Sequence, residues 1–124
     1  MDKITKHILV VDDEELVCTL LEDFLEDCGY RVSTATFGAK GLEMIKDDVD
    51  LAIVDMRLPD MEGKEFILKA SEIVKDVHFF IHTGSLDYSI DDELGRLGLN
   101  QESIIYKPIN DLFWLDKKIS NIFK

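Results

Sequence analysis

The chain has 124 residues, 46% hydrophobic and 32% charged, and its formal net charge is -12. This length fits one domain, which we place at residues 1–124, and the hydrophobic content excludes a disordered chain. The negative charge disfavours direct binding of DNA or RNA, because it repels the phosphate backbone. No apolar run reaches the length of a membrane span and the first residues form no signal peptide, so we expect a cytoplasmic protein.

Short apolar runs alternate with amphipathic segments along the chain. The runs are rich in β-branched residues or aromatics and predict strands, and the segments have apolar residues at helical spacing and predict helices. This alternation indicates βαβ units, and therefore an α/β fold with a parallel sheet and helices on both faces. The predicted strands are 6–11, 30–35, 50–54, 77–82 and 103–106. The predicted helices are 14–28, 39–46, 64–74, 87–97 and 110–123.

Several reactive or aromatic residues have structural interpretations. Cys18 and Cys28 lie in one predicted helix, about 15 Å apart along its axis, so we expect two buried thiols and no disulfide. Phe113 and Trp114, in the last helix, are expected in the core and at a partly exposed surface. Three histidines lack the spacing of metal ligands and are interpreted as structural: His7, His78 and His82.

Polar residues stand where the predicted strands end. The stretch ILVVDDEE places Asp12 and Asp13 after the first strand, and Asp55 follows the third. Thr83 follows the fourth strand and Lys107 follows the fifth. Ligands of parallel α/β sheets bind beyond the carboxyl ends of the strands, so we expect these side chains to gather at one functional edge.

The chemistry of these residues suits a phosphoryl group. Three neighbouring carboxylates repel one another and need a cation, and oxygen ligands of this kind suit Mg²⁺. Lys107 supplies a positive charge on a long stem, Thr83 supplies a hydroxyl, and Gly84 leaves the backbone accessible. Phosphoryl transfer depends mainly on positioning and charge neutralisation, and Asp55 could be the nucleophile, since carboxylates form aspartyl-phosphates.

These motifs resemble one known family. The paired acids at 12–13, LAIVDMRLPDMEG around Asp55, HTGS around Thr83 and Lys107-Pro108 are similar, in order and spacing, to the receiver domain of bacterial two-component response regulators. The resemblance covers essentially the whole chain. It implies a flavodoxin-like (βα)5 fold, with a five-stranded parallel sheet in the order 2-1-3-4-5.

The resemblance also implies a phosphoryl acceptor and a metal site. Asp55 would accept a phosphoryl group from the phosphohistidine of a histidine kinase or a histidine phosphotransfer protein. Asp13 and Asp55 would bind Mg²⁺ directly, Asp12 would bind it mostly through water, and the backbone carbonyl of Arg57 would be a further ligand. The domain would catalyse only its own phosphorylation and dephosphorylation, so we do not expect an enzyme with a separate substrate.

Further roles follow from the same resemblance. Lys107 would bond a phosphoryl oxygen, and the Thr83 hydroxyl would move onto the phosphate once it arrives. Backbone N–H groups of Met56 and Gly84 would take the remaining oxygens. The Lys107-Pro108 peptide bond is expected to be cis. Loop geometry is the role assigned to three residues: Pro59, Gly63 and Pro108.

The sequence departs from the family in its switch region. Receivers usually carry an aromatic residue three positions before the lysine, and here that position is Ile104. An aromatic residue, Tyr106, stands two positions later, and alternation places it on the same face of the strand as Ile104. The isoleucine at position 104 argues against activation through the usual threonine–aromatic pair. The segment 85–102 is unusually long and polar, with few apolar residues to anchor it. We expect phosphorylation to order or shift it, so that the face of the fourth helix, fifth strand and fifth helix signals.

Three alternative functions were weighed. A pseudo-receiver, a phosphorylation-independent interaction module, keeps the fold but is disfavoured by the complete set of acids, threonine and lysine. A phosphatase of the haloacid dehalogenase type needs a second acid at position 57, where the chain has Arg57. A flavodoxin needs a phosphate-cradling loop after the first strand, where the acids would repel the phosphate. The downstream protein partner, the choice between monomer and phosphorylation-dependent dimer, and the choice between a stand-alone receiver and a piece of a longer regulator stay open.

Overall fold

The computed structural model describes residues 5–124 as one parallel sheet with the strand order β2-β1-β3-β4-β5. The predicted domain also includes residues 1–4, which lie outside the described part. The strands are β1 His7–Val11, β2 Arg31–Ala35, β3 Leu51–Asp55, β4 His78–Thr83 and β5 Ile104–Tyr106. The helices are α1 Glu15–Asp27, α2 Gly38–Met44, α3 Gly63–Ile73, α4 Asp92–Arg96 and α5 Leu112–Ile122, with a short 3₁₀ helix at Gln101–Ser103.

The predicted fold class and strand order are confirmed. The two central strands, β1 and β3, are buried along their whole length, which explains their unbroken apolar sequences. Alternate residues of these strands supply two separate cores: one packs against α1 and α5, and the other packs against α2, α3 and α4. The sheet is therefore covered on both faces, and its strand ends remain available for a site.

Helix α1 buries a narrower face than its sequence predicts. Its buried residues are Cys18, Leu21 and Leu25, whereas Leu16 is 84% exposed and Leu20 is 53% exposed. At 3.6 residues per turn, Leu16 and Leu20 lie roughly opposite Cys18. The apolar residues of α1 thus cover two faces, and only one of them packs against the sheet.

Two predictions about single side chains are wrong. Cys18 is buried, but Cys28 is exposed, because it is the C-cap residue of α1, where the chain turns away at Gly29 with a φ of 98°. Phe113 is 77% exposed and belongs to neither core. Its ring meets Phe24 edge-on, with 5.7 Å between the centroids, so it lies over the outside of α1.

The fourth helix is much shorter than the predicted 87–97. It begins after Asp91, whose Oδ1 accepts a hydrogen bond from the Leu94 N–H, so the helix cannot extend back to residue 87. It ends before Gly98, which has a φ of 93°. Leu94 and Leu99 are both buried, so the segment 85–102 is better anchored than its polar sequence suggests.

A cluster of hydrogen bonds links α2 to the loop that follows β3. The Asp60 carboxylate accepts from the Gly38 N–H at 2.7 Å and from the Ala39 N–H at 2.9 Å. These bonds lower the pKa of Asp60. Residues from two distant parts of the chain therefore share one helix cap, and the loop after Asp55 is fixed to the start of α2.

The far edge of the sheet is formed by a short strand. Strand β5 pairs with β4 only from Ile81 to Thr83, so the first half of β4, His78–Phe80, extends beyond it. The Lys107-Pro108 bond after β5 is cis, as predicted. Among residues 5–124, no helix is both long enough and apolar enough to cross a membrane.

Candidate phosphoryl-acceptor site

A polar cleft of about 480 Å³ opens at the carboxyl ends of β1, β3 and β4. Seven of the residues predicted for the site line this cleft, together with Glu14 and Ser85. The lining residues are Asp13, Glu14, Asp55, Met56, Arg57, Thr83, Gly84, Ser85 and Lys107. The sheet topology thus gathers residues from four separate parts of the sequence around one opening.

Asp12 lies beneath this cleft and is 1% exposed. Its Oδ1 accepts a hydrogen bond from the Glu14 N–H at 2.9 Å, and its backbone carbonyl accepts one from Cys18 Sγ at 3.3 Å. The turn from β1 into α1 is therefore fixed by Asp12 itself. Its second carboxylate oxygen, Oδ2, is buried and has no aligned hydrogen bond from the described residues.

The three predicted carboxylates form one cluster. Asp12, Asp13 and Asp55 each place an oxygen so that these atoms lie within 4.8 Å of one another. Asp12 and Asp55 are buried, whereas Asp13 is exposed at the mouth of the cleft. Three carboxylate oxygens gathered this closely fit a hard divalent cation such as Mg²⁺. The residues present therefore suit the metal that the sequence predicts.

Asp55 is the most perturbed acid of the cluster. Burial raises its pKa, and the negative charge of Asp12 raises it further, while the Lys107 ammonium and the Arg57 N–H oppose both effects. The resulting pKa is about 6. Ionised Asp55 is therefore destabilised without a cation, which favours the uptake of positive charge or of an electrophile at this carboxylate.

Lys107 is shared by three carboxylates. Its Nζ lies 3.1 Å from Asp12 Oδ2, 3.5 Å from Asp55 Oδ2 and 3.6 Å from Glu14 Oε1. Burial lowers the pKa of Lys107, but the three carboxylates outweigh it and the net shift is upward. The ammonium group is thus held charged at the centre of the site.

Backbone geometry holds the loop after Asp55 close to α3. A Cβ on Gly63 would lie 2.5 Å from the Asp55 carbonyl oxygen and would also clash with Met56, so only glycine allows this approach. The Gly63 N–H donates to the Met56 carbonyl at 2.9 Å. Pro59 is exposed and lies outside the cleft. The missing side chain of Gly63 therefore allows the loop to approach α3 this closely.

Thr83 and Gly84 form the wall opposite the acids. Thr83 is 6% exposed, and its Oγ1 accepts a hydrogen bond from the Ser85 N–H at 3.1 Å. The Thr83 carbonyl accepts from the Lys107 N–H at 2.8 Å, so β4 and the residue after β5 are joined at the site. A Cβ on Gly84 would meet no atom within 4 Å, so the backbone there is open to a ligand.

A comparison with protein-family models matches residues 8–113 to the response regulator receiver domain. The chain belongs to this family. Receiver domains are modules of two-component systems, and the cleft described above lies at the edge where the family resemblance predicts the site. The resemblance that the sequence motifs carry is thereby confirmed over 106 residues.

Curated relatives and solved structures agree with this assignment. The chain is 29% identical over 104 residues to response regulator SaeR of Staphylococcus epidermidis, covering 84% of this chain but 44% of that protein. It is 30% identical to a CheY-like receiver domain protein of Methanospirillum hungatei, with a TM-score of 0.75, covering 94% of this chain and 93% of the other. A CheY-like receiver of Methylobacillus flagellatus has a TM-score of 0.81 at 21% identity over 95% and 98% of the two chains, which supports the fold alone.

The chain spans less than half the length of the curated response regulators it matches. The match to SaeR covers 84% of this chain, and the match to the receiver of Methanospirillum hungatei covers 94% of it. The shared part is therefore the receiver module.

Two of the predicted switch residues, Ile104 and Tyr106, lie outside the cleft that Thr83 lines. Ile104 is 4% exposed at the start of β5, and Tyr106 is half-buried at its end. The Tyr106 hydroxyl accepts a hydrogen bond from Gln101 Nε2 at 2.9 Å, so this ring is held by the 3₁₀ helix before β5. Pro108 lines a separate apolar groove beside α1. Their switching and geometric roles stay predictions.

Sequence reasoning missed two residues next to the site. Glu14 was assigned only to the start of α1, but it lines the cleft and approaches Lys107. His82 was interpreted as structural, but its Nδ1 lies 3.9 Å from Asp12 Oδ2 in the interior. A polar residue inside an otherwise apolar strand, directly before Thr83, was the available signal for His82.

Proposed function

We propose that this receiver takes a phosphoryl group onto Asp55 from the phosphohistidine of a histidine kinase or a histidine phosphotransfer protein, in the cytoplasm. One observation carries the proposal: the Asp55 carboxylate, with its raised pKa, faces an open cleft between two other carboxylates and one ammonium group.

The cleft supplies the nucleophile and the hydrogen-bond donors for the transfer. An ionised Asp55 oxygen attacks the phosphorus atom, the bond to the histidine nitrogen breaks, and that nitrogen keeps the electron pair and gains a proton from solvent. Lys107 is near enough to Asp55 to bond a phosphoryl oxygen, and the backbone N–H groups of Met56 and Gly84 border the same space. The domain thus catalyses its own phosphorylation, and hydrolysis returns it to the free acid.

Mg²⁺ is the cofactor in this proposal. The carboxylates of Asp13 and Asp55 would hold it, Asp12 would reach it mostly through water, and the Arg57 carbonyl would complete the protein ligands. When bound, the ion neutralises negative charge on the phosphoryl oxygens. The close approach of the three acids supports this assignment.

This chain has a groove beside the site on which the partner that donates the phosphoryl group could dock. An apolar groove of about 340 Å³ lies between α1 and the segment after β5, and it shares Glu14 and Lys107 with the cleft. Leu20 lines this groove and Leu16 is exposed nearby on the same helix. A partner helix with an apolar face would cover these side chains while bringing its phosphohistidine to Asp55.

The deciding experiment is a beryllofluoride titration followed by backbone amide NMR, with and without Mg²⁺. Beryllofluoride stands in for the phosphoryl group on an aspartate. We expect Mg²⁺-dependent shifts at Asp55, Thr83 and Lys107 that spread into 85–102, through the face of α4, β5 and α5. The Asp55→Asn variant should remain folded and show none of them.

Two other outcomes would change the conclusion. Metal binding without any beryllofluoride response would point to the pseudo-receiver, a phosphorylation-independent interaction module. Unfolding of Asp55→Asn would mean that Asp55 has a structural role that the acceptor role does not include.

A further inference from the structure

His82 is a buried histidine without a described partner. It is the penultimate residue of β4 and is 4% exposed. Neither of its ring nitrogens has a hydrogen bond from the residues that the structure describes. Leaving a buried N–H without an acceptor is unfavourable, and native proteins rarely do so. The absence of a partner in this state suggests that His82 has one in another.

The candidate partner lies beside it. His82 Nδ1 is 3.9 Å from Asp12 Oδ2, which is the buried carboxylate oxygen without an aligned donor. An approach of about 1 Å would bring the two atoms to hydrogen-bond distance. A ring nitrogen without a hydrogen bond thus faces a buried carboxylate oxygen whose nearest cation is the Lys107 ammonium.

In the present state Lys107 compensates the charge at Asp12. Its ammonium is closer to Asp12 Oδ2 than to either of the other two carboxylates. A phosphoryl group on Asp55 would compete for that ammonium, because its oxygens carry more negative charge. Asp12 is too deeply buried for solvent to replace Lys107 freely. Its Oδ2 would then need a new donor.

We infer that His82 is a positioning residue, whose Nδ1–H donates to Asp12 Oδ2 when Lys107 turns to the phosphoryl group. This inference rests on the proposed function of Asp55. Asp12 would stay in place during the exchange, because its Oδ1 remains bonded to the Glu14 N–H. His82 thereby lets one lysine serve two acids in turn.

The surroundings of His82 suit a neutral donor, because its ring is buried and the Lys107 ammonium already lies beside Asp12. A neutral donor can hold a carboxylate without adding a positive charge beside a cation site. The proton is expected on Nδ1 rather than on Nε2, because Nδ1 is the nitrogen near Asp12.

Imidazole ¹⁵N NMR tests the inference directly on the wild-type protein. The spectra would be recorded with Mg²⁺ alone and with Mg²⁺ and beryllofluoride together. We expect the second state to show the Nδ1–H tautomer of His82, with the chemical shift of a hydrogen-bonded nitrogen. An unchanged spectrum, or the Nε2–H tautomer in a sample whose Asp55 region responds, would overturn the inference.

Two variants separate positioning from packing. His82→Leu fills the same space without a donor, and His82→Asn places an amide N–H near the position of Nδ1. We expect His82→Leu to weaken beryllofluoride affinity about tenfold, because it removes a hydrogen bond to a charged group. We expect His82→Asn to stay within about threefold of wild type, because it keeps a donor. Equal affinity of wild type and His82→Leu would overturn the inference.

The controls distinguish the two levels of the argument. Urea unfolding of each variant without Mg²⁺ reports packing alone, so a loss of affinity in a variant of wild-type stability belongs to the site. If the wild type itself gives no Mg²⁺-dependent response, both the proposed function and the role of His82 are wrong. If the wild type responds and only the His82 results fail, the proposed function stands and the role of His82 is wrong.

Discussion

At the scale of single residues, the site stores unfavourable electrostatics. Three acids share a few ångströms at the cleft, and the raised pKa of Asp55 shows that its ionised form is destabilised there. The loop after Asp55 is held by Gly63 and by backbone hydrogen bonds, so the ionised Asp55 carboxylate is not needed to hold it. A stability penalty concentrated on one carboxylate is expected where that group must react.

Replacing Asp55 should therefore stabilise the metal-free protein. In the unfolded chain, Asp55 ionises at its ordinary pKa. In the folded chain its pKa is raised to about 6, so ionising it at pH 7 costs free energy. We expect Asp55→Asn to raise the free energy of unfolding by on the order of 2 kcal/mol, since one pKa unit corresponds to about 1.4 kcal/mol. Urea unfolding without Mg²⁺ would measure this gain.

The gain has a defined pH dependence. Below about pH 4 both states of the wild type are protonated at Asp55, so the variant should have no advantage there. Between about pH 4 and 6 the folded state binds more protons than the unfolded state, so wild-type stability falls as pH rises and the gain of the variant grows. Asp76→Asn, at an exposed position away from the cleft, is the control. A gain independent of pH would exclude this explanation.

The sequence was sufficient to predict the acids of the cleft but not all of the residues around them. Asp12, Asp13 and Asp55 could be predicted because each stands at a strand end, where topology alone brings such residues together. His82 could not, because its importance depends on which carboxylate oxygen it faces. Phe113 and Cys28 were misplaced because helical spacing predicts a face but does not show where that face meets the sheet.

At the scale of elements, α4 depends on its neighbour α3. The Lys64 ammonium lies 2.6 Å from Asp91 Oδ2 and 2.7 Å from Glu93 Oε1, at the start of the short helix. The hydrogen bonds that the ammonium donates to the Asp91 and Glu93 carboxylates raise the pKa of Lys64. Lys64 is the second residue of α3, directly after the loop that follows Asp55. The polar segment is therefore connected to the site through this ion pair.

Removing this lysine should loosen α4. We expect Lys64→Ala to accelerate amide hydrogen exchange at Leu94 and Gly95, because the cap residue Asp91 loses its positive partner. The global free energy of unfolding should change little, since exposed ion pairs contribute weakly.

Lys69→Ala is the matched control for that variant. Lys69 lies on the same helix and pairs with Glu65 at 2.7 Å, but it does not reach α4. Hydrogen exchange at Leu94 that rises equally in both variants would show that α3, and not the link to α4, is responsible.

At the scale of the whole molecule, binding of a cation offsets part of a net charge of -12. We expect Mg²⁺ to bind the folded cluster and not the unfolded chain, and therefore to stabilise the protein. At 100 times its Kd we expect a gain of about 2.7 kcal/mol, with a smaller gain in Asp55→Asn. Thermal unfolding in NaCl of equal ionic strength would separate this effect from screening. Equal stabilisation by the two salts would argue against a specific site.

The fold at this scale was the most predictable part. Five alternations of strand and helix left few topologies, because parallel strands need crossovers and connections follow fixed rules. The predicted helix 87–97 failed because a side-chain cap at Asp91 and the turn at Gly98 act over a few residues, below the length at which periodicity is informative.

The short β5 has a consequence for how copies of this chain meet one another. Because β5 covers only half of β4, His78–Phe80 forms a piece of open sheet edge, to which a strand of another chain could add. Lys118 lies over the rings of Phe80 and Trp114, 5.4 Å and 5.6 Å from their centroids. A lysine beside an open edge is a common natural protection against such strand addition. The position of Lys118 is therefore suited to oppose the addition of a foreign strand at His78–Phe80.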